Sequence, residues 1–213
     1  MVSSLSVLMS GLILGLFGVL GAALVGVAHE GTAERIVENE RAALQAKLEA
    51  LVPAADVDND MLEDVLRVEA PEKLGAPVTR VYRARRDGEP VAVVLSPVVT
   101  QGYSGPIQLV VAVGADGRVG GVRVLSHRET PGLGDKIELE RNDWILGFQG
   151  RSLTDPPASA WKVRRDNGVF DQFTGATVTP RAVVRGVKST LEYFAAHRDE
   201  LFQQTPATDG ETP

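Results

Sequence analysis

Hydrophobic residues are unevenly distributed along the chain, and the longest apolar run lies near its beginning. Residues Leu5 to Ala28 include no charged side chain. As an α-helix, which rises about 1.5 Å per residue, this run would be about 36 Å long and could cross a hydrocarbon core about 30 Å thick. The pattern predicts a single transmembrane anchor over residues 1–29.

A cleavable signal peptide is the alternative for this segment, because Gly26 and Ala28 suit a small-residue cleavage site. The run is too long for a signal core and has no charged leader, which favours an uncleaved anchor. Small residues on one helical face favour packing against another membrane helix. They are Gly11, Gly15, Gly18, Ala22 and Gly26.

After the anchor, the chain is no longer uniformly apolar, and charged residues become frequent. Residues 32–51 are alanine-rich and charged, and Pro53 ends their helical pattern, which predicts a stalk or linker over 30–54. A further short helix is predicted over 59–68.

Valine-rich, partly alternating segments predict strands at 78–84 and 90–99. Two more, at 107–113 and 119–127, flank the glycine-containing turn 114–118 and predict a β-hairpin.

Irregular structure is predicted next, followed by the strongest helix of the second half. Residues 129–150 predict a glycine-rich loop with short helical pieces, and 161–165 predict a short strand. Thr179 and Pro180 suit an N-cap and the first helical position. The apolar positions that follow at helical spacing are Val183, Val184, Val187, Leu191 and Phe194.

Strand pairs mixed with helices, without regular βαβ alternation, predict an α+β fold with mixed or antiparallel strands. Its single soluble domain is expected over 55–202. The polar tail 203–213 is predicted to be disordered.

The amino-acid composition of the chain argues against several classes of function. The net charge of −6 argues against a nucleic-acid partner. The chain has no cysteine, which excludes disulfides, thiolate catalysis and cysteine-ligated iron–sulfur clusters. Its three histidines are isolated in sequence, so no metal site is expected. Electron transfer by this chain would therefore need an organic cofactor.

The segment Asp171-Gln172-Phe173-Thr174-Gly175-Ala176-Thr177 places two hydroxyls around a small Gly-Ala pair, just before the predicted terminal helix. The amides and dipole of a helix start favour an anion. Thr177 is thus well placed to carry a phosphate, bound or esterified. Simple helix capping is the alternative.

A second segment, from His127 to Gly134, leaves a predicted strand and enters a loop fixed by Pro131 and two glycines. Glu129 and Thr130 can hydrogen-bond a polar ligand, and Leu133 offers an apolar face. Gly132 and Gly134 let backbone amides approach a planar ring. A tight turn with an exposed glutamate is the alternative.

The first segment resembles the flavinylation motif of the FMN-binding domain family, in which FMN is joined to the last threonine. The order Glu-Thr-Pro-Gly-Leu-Gly and then Asp-x-x-Thr-Gly-Ala-Thr resembles the G subunits of Rnf electron-transport complexes. It is also similar to the C subunits of sodium-translocating NADH:quinone reductases, which tend to be longer.

The resemblance implies covalent FMN on Thr177. The small Gly175 and Ala176 would leave room for the phosphate. Thr174 can hydrogen-bond the phosphate oxygens or, alternatively, cap the turn. Asp171 is expected to assist recognition by an external flavin transferase. Tyr103, in the segment before the hairpin, is a candidate to stack on the flavin.

The family further implies a relay subunit without catalysis of its own, in a complex that couples electron flow between ferredoxin and NAD to ion movement. Other subunits of that complex would be its partners. The soluble domain would face the periplasm from the bacterial inner membrane. A non-redox, membrane-tethered module for a phosphorylated ligand is the alternative from another class.

Overall fold

The computed structural model describes residues 4–203 and contains three α-helices: α1 (Ser4–Leu51), α2 (Pro71–Leu74) and α3 (Val178–Phe202). The chain divides into two compact units, Met1–Leu44 and Gln45–Pro213. The predicted disordered tail lies outside the described residues, except for Gln203.

Among the described residues, α1 is the one helix long and apolar enough to cross a membrane. The apolar side chains of its first part, residues 7–27, are exposed; Leu14 and Leu24, for example, are each 75% exposed. Apolar side chains on all sides of a helix suit a lipid environment, because water would penalise them. The predicted single membrane anchor is therefore supported.

The second unit is built on one antiparallel sheet. The strands are β1 (Val65–Val68), β2 (Thr79–Arg86), β3 (Glu89–Leu95), β4 (Val98–Val99), β5 (Ile107–Gly114) and β6 (Val119–Ser126). The strand order is β1-β2-β3-β5-β4, and β6 pairs with β5. Both β3 and β4 pair with β5, at different positions along it.

Strands β5 and β6 form the predicted hairpin. Gly117 has a φ of +80° in the turn, and its amide donates to the Gly114 carbonyl at 2.8 Å. A positive φ is readily adopted by glycine, which explains why this turn was recognisable from the sequence.

Helix α3 packs against strands β2 to β5. Its apolar side chains Val183, Val187 and Leu191 are at most 1% exposed and belong to the same core as Val93 and Val111 of the sheet. This packing fixes the beginning of α3, and with it the residues just before the helix. The α+β fold prediction is confirmed.

Two local predictions were wrong. Residues 59–68 form turns followed by β1, because the edge position beside β2 is available and Val65 pairs there with Tyr82. Residues 161–165 do not form a strand. Val163 makes only an isolated bridge to Phe170, and a 3-10 helix begins at Arg164.

Candidate functional site

A cavity of about 310 Å³ lies where three loops meet at the beginning of α3. Eight of the predicted site residues line it: Tyr103, Glu129, Thr130, Leu133, Gly134, Gly175, Ala176 and Thr177. Val178 and Thr179 complete the lining. The two motifs are well separated in sequence, and the fold brings them to one cavity.

The motif before α3 folds into a tight turn from Phe173 to Ala176. The Ala176 amide donates to the Phe173 carbonyl at 3.1 Å. Gly175 has a φ of +83°, as the third position of a type II turn requires. That backbone conformation strains any residue that has a Cβ atom. The turn itself therefore explains why the motif has glycine at this position.

Thr177 occupies the N-cap position of α3, but its side chain makes no capping hydrogen bond. Its hydroxyl is therefore not used to cap the helix, and Thr177 is one of the residues that line the cavity. The prediction that Thr179 caps the helix was wrong. Thr179 lies within the first turn, and its hydroxyl donates to the Glu129 carboxylate.

Glu129 is buried, with 4% of its surface exposed. One carboxylate oxygen accepts from the Ser104 amide at 3.0 Å, and the other accepts from the Thr179 hydroxyl. The carboxylate thus joins three segments that line the cavity: the Tyr103 loop, its own loop and the first turn of α3.

His127 supports the Glu129 backbone. Its Nδ1 atom accepts from the Glu129 amide at 2.9 Å, so Nδ1 carries no proton. In the neutral imidazole the proton is then on Nε2, which lies 3.0 Å from a Glu138 carboxylate oxygen and donates to it. The tautomer and ring orientation of His127 are fixed by these two bonds.

Several large apolar side chains around the cavity are exposed to solvent. Tyr103 is 72% exposed, Leu133 is 42% exposed and Val178 is 41% exposed. The Leu133 loop closes on itself, because the amides of Leu133 and Gly134 both donate to the Thr130 carbonyl, at 3.1 and 3.0 Å. Exposed apolar groups around one cavity mark a place where an apolar ligand or partner would be covered.

Three predicted site residues do not line the cavity. Gly132 and Thr174 lie in the adjoining turns, where Gly132 has a φ of +76°. Asp171 is exposed, and its carboxylate forms an ion pair with Arg164 at 3.0 Å. Its backbone carbonyl accepts from the indole nitrogen of Trp144 at 2.9 Å, which anchors the beginning of the motif.

The two tryptophans lie outside the cavity lining. Trp144 contacts Phe173 edge to face, with ring centroids 5.2 Å apart. Trp161 is 3% exposed, and its indole nitrogen donates to the Ser152 carbonyl at 3.0 Å. Both rings belong to an aromatic cluster of the core that includes Phe173 of the motif.

Arg181, in the first turns of α3, is bound to Asp166 by two hydrogen bonds of 2.6 and 2.8 Å. The hydrogen bond from Arg181, followed by its charge, lowers the pKa of the exposed Asp166 carboxyl below its ordinary value of 3.8. The same hydrogen bond raises the pKa of Arg181. This guanidinium is therefore occupied by a protein carboxylate rather than directed at the cavity.

Ser104, Val178 and Thr179 also belong to the site, although the sequence did not predict them as parts of it. Val178 and Thr179 directly follow the motif, so their proximity to Thr177 was the available signal. Ser104 acts through its backbone amide, which leaves no signature in the side-chain pattern. Within residues 4–203, no group of three His, Asp or Glu side chains is arranged to hold a metal ion.

Two family matches cover different parts of the chain. Residues 102–192 match the FMN-binding domain family, and this range includes all three loops around the cavity. Residues 1–51 match a family described as the RnfG N-terminal region.

Several curated proteins are similar over most of their length, and each is named as the G subunit of an ion-translocating oxidoreductase complex. The protein from Pseudoalteromonas atlantica is 47% identical over 91% of this chain and 90% of its own. One from Pseudomonas aeruginosa is 47% identical over 97% of both chains. One from Cereibacter sphaeroides is 50% identical over 94% of this chain and 90% of its own.

Proposed function

The chain belongs to the G-subunit family of ion-translocating oxidoreductase complexes, and we propose that its FMN is attached to Thr177 through a phosphoester. The family makes it an FMN-carrying electron-transfer subunit of an Rnf-type complex. Membership in the G-subunit family favours this role over that of a quinone-reductase C subunit or a non-redox module.

The single observation that carries the attachment site is the position of Thr177. This residue lines the cavity, and its side chain makes no cap bond in α3. Thr174, the other hydroxyl of the motif, is exposed and outside the cavity lining. Of the two threonines in the motif, Thr177 is therefore the one that we expect to offer its hydroxyl to a cavity-bound cofactor.

The cavity is suited to the parts of FMN. A volume of about 310 Å³ is within the range of small-ligand pockets. Tyr103 and Leu133 offer apolar surfaces for a planar ring, and Thr130 offers a hydroxyl for its polar edge or the ribityl chain.

The beginning of α3 suits the phosphate. Pro180 has no amide hydrogen, and the Arg181 amide donates to the Thr177 carbonyl at 3.3 Å. The Val178 and Thr179 amides have no backbone acceptor among the described residues. Free amides at a helix start favour a phosphate group, and Gly175 and Ala176 add little side-chain bulk beside it.

Maturation by an external flavin transferase is part of the proposal. Asp171 is 64% exposed at its side chain and is held by Arg164, so it is accessible to another protein. It does not line the cavity. These two facts support a role for Asp171 in recognition by the transferase rather than in holding the flavin.

Bound FMN supplies the redox chemistry, and this chain supplies attachment, orientation and electrostatics. We place the protein among the other subunits of a complex that links ferredoxin and NAD to ion movement. Exposed apolar side chains at the cavity suit electron exchange with a partner, because the cofactor would be near the protein surface.

Orientation in the membrane can be tested because the chain has no native cysteine. We propose that the soluble domain faces the periplasm. Cysteine in place of the exposed Glu140 should react with a membrane-impermeant maleimide in intact spheroplasts. Ser3→Cys, on the other side of the apolar run from Leu5 to Ala28, should react only after lysis. The reverse pattern would place the domain in the cytoplasm.

The attachment itself is tested by mass spectrometry of the wild-type chain purified from its native host. Trypsin is expected to release the peptide from Asp166 to Arg181, which contains both motif threonines and Thr179. The peptide should carry the mass of one FMN less one water, and fragmentation should assign it to Thr177. An unmodified peptide, or a flavin on another residue, would contradict the proposal.

A further inference from the structure

Glu129 is a buried carboxylate whose described partners are both uncharged. They are the Ser104 amide and the Thr179 hydroxyl, one on each oxygen. No ion pair to Glu129 occurs in the described part of the chain. Burying a carboxylate without a cation is costly, so a negative charge at this place needs an explanation beyond stability.

Close packing fixes the position of this carboxylate. A Cβ atom at Gly134 would lie 2.8 Å from the Glu129 Cβ and 3.0 Å from a carboxylate oxygen. A Cβ atom at Gly102 would lie 2.2 Å from the Gly105 carbonyl oxygen and 2.8 Å from the other carboxylate oxygen. The two glycines permit the three loops to close around the carboxylate, which holds it at the cavity wall.

We propose that the negative charge of Glu129 lowers the reduction potential of the FMN bound at Thr177. This inference rests on the proposed attachment site. When an electrode gives the flavin one electron and no proton is taken up, the ring gains one negative charge. A fixed negative charge lining the same cavity makes that addition less favourable, because the interior screens charges less than water does.

The substitution Glu129→Gln isolates the charge from the hydrogen bonds. The glutamine carbonyl oxygen can accept from the Ser104 amide, and its NH₂ group can donate to the Thr179 hydroxyl oxygen. For two unit charges about 10 Å apart and an effective dielectric constant of about 20, removal of one charge shifts an equilibrium roughly tenfold. The potential of the one-electron couple should therefore rise by about 59 mV.

The measurement is spectroelectrochemistry of the FMN-loaded full chain in detergent. Glu140→Gln is the matched control, because it makes the same change at an exposed position that does not line the cavity; its potential should equal that of the wild type. An unchanged potential in Glu129→Gln would overturn the inference.

The variant Thr179→Val should shift the reduction potential in the direction opposite to Glu129→Gln. This test can be made even if Glu129→Gln does not fold stably. The substitution of Thr179 keeps the charge but removes the hydroxyl that disperses it, so the potential should fall below the wild-type value. A rise in Thr179→Val would show that loop position sets the potential and would overturn the inference. Mass analysis of the wild type separates the two proposals: absence of flavin refutes the attachment, whereas flavin with an unshifted potential in Glu129→Gln refutes the role of its charge alone.

Discussion

Replacement of Thr177 by alanine is expected to remove all covalent flavin from the protein. The substitution deletes the only atom that can form the proposed phosphoester at this position, so the effect should be complete. Thr177 makes no side-chain cap bond, and the change in the free energy of unfolding should therefore stay below about 1 kcal/mol. The measurement is ultraviolet fluorescence of the denatured chain on a gel after co-expression with a flavin transferase.

Two control variants make this result specific. Thr177→Ser keeps a hydroxyl at the same place and should retain a fluorescent band. Thr174→Ala removes the exposed hydroxyl of the turn and should also retain it, because Thr174 does not line the cavity. A fluorescent band in Thr177→Ala, or its loss in Thr174→Ala alone, would assign the attachment to a different residue.

The features that the sequence predicted best are those set by local chemistry. The β5–β6 hairpin follows from alternating apolar residues around a turn whose Gly117 has a positive φ. The transmembrane anchor follows from an uninterrupted apolar run. The turn of the proposed attachment motif is likewise set by one contiguous stretch of residues, because it depends on Gly175, which also has a positive φ.

Features that depend on distant partners could not be predicted. Glu129 bonds Ser104 and Thr179, which are 25 and 50 residues away in the sequence. The Thr179 hydroxyl donates to this carboxylate instead of capping α3, so the local capping pattern gave the wrong N-cap. Likewise, residues 59–68 have a helical pattern in the sequence, but the pairing of β1 with the edge of β2 determines their structure.

The far end of α3 is held by a network that also joins distant parts of the chain. Arg83 and Arg85 of β2 are 5% and 8% exposed. Each donates through Nε to a different oxygen of Asp64, at 2.6 and 2.9 Å. Arg83 also donates to the Gln203 carbonyl at 2.5 Å, and Arg85 donates to the Phe202 carbonyl at 3.0 Å. Both cations therefore satisfy carbonyls at the C-terminus of α3, where the helix dipole favours positive charge.

Asp64→Ala is expected to lower the free energy of unfolding by about 2–3 kcal/mol, since it leaves two buried guanidinium groups without their counterion. The expected loss is at the low end for a buried pair because the Asp64 side chain is 23% exposed and water screens part of its charge. Urea unfolding of the full chain in detergent, followed by the combined fluorescence of Trp144 and Trp161, measures the change.

Glu192→Ala is the control for this experiment, because it removes ion pairs to Lys73 and Lys188 at the surface of the same helix. It should cost less than about 1 kcal/mol. An equally small loss in Asp64→Ala would show that the buried network does not stabilise the fold. Helix α3 extends from Val178 to Phe202, with non-helical backbone at His197, and this network and Thr177 lie at opposite ends of it. Folded Asp64→Ala should therefore still acquire covalent flavin, because the proposed attachment depends on the loops at the beginning of α3 and the stability depends on the carbonyls at its end.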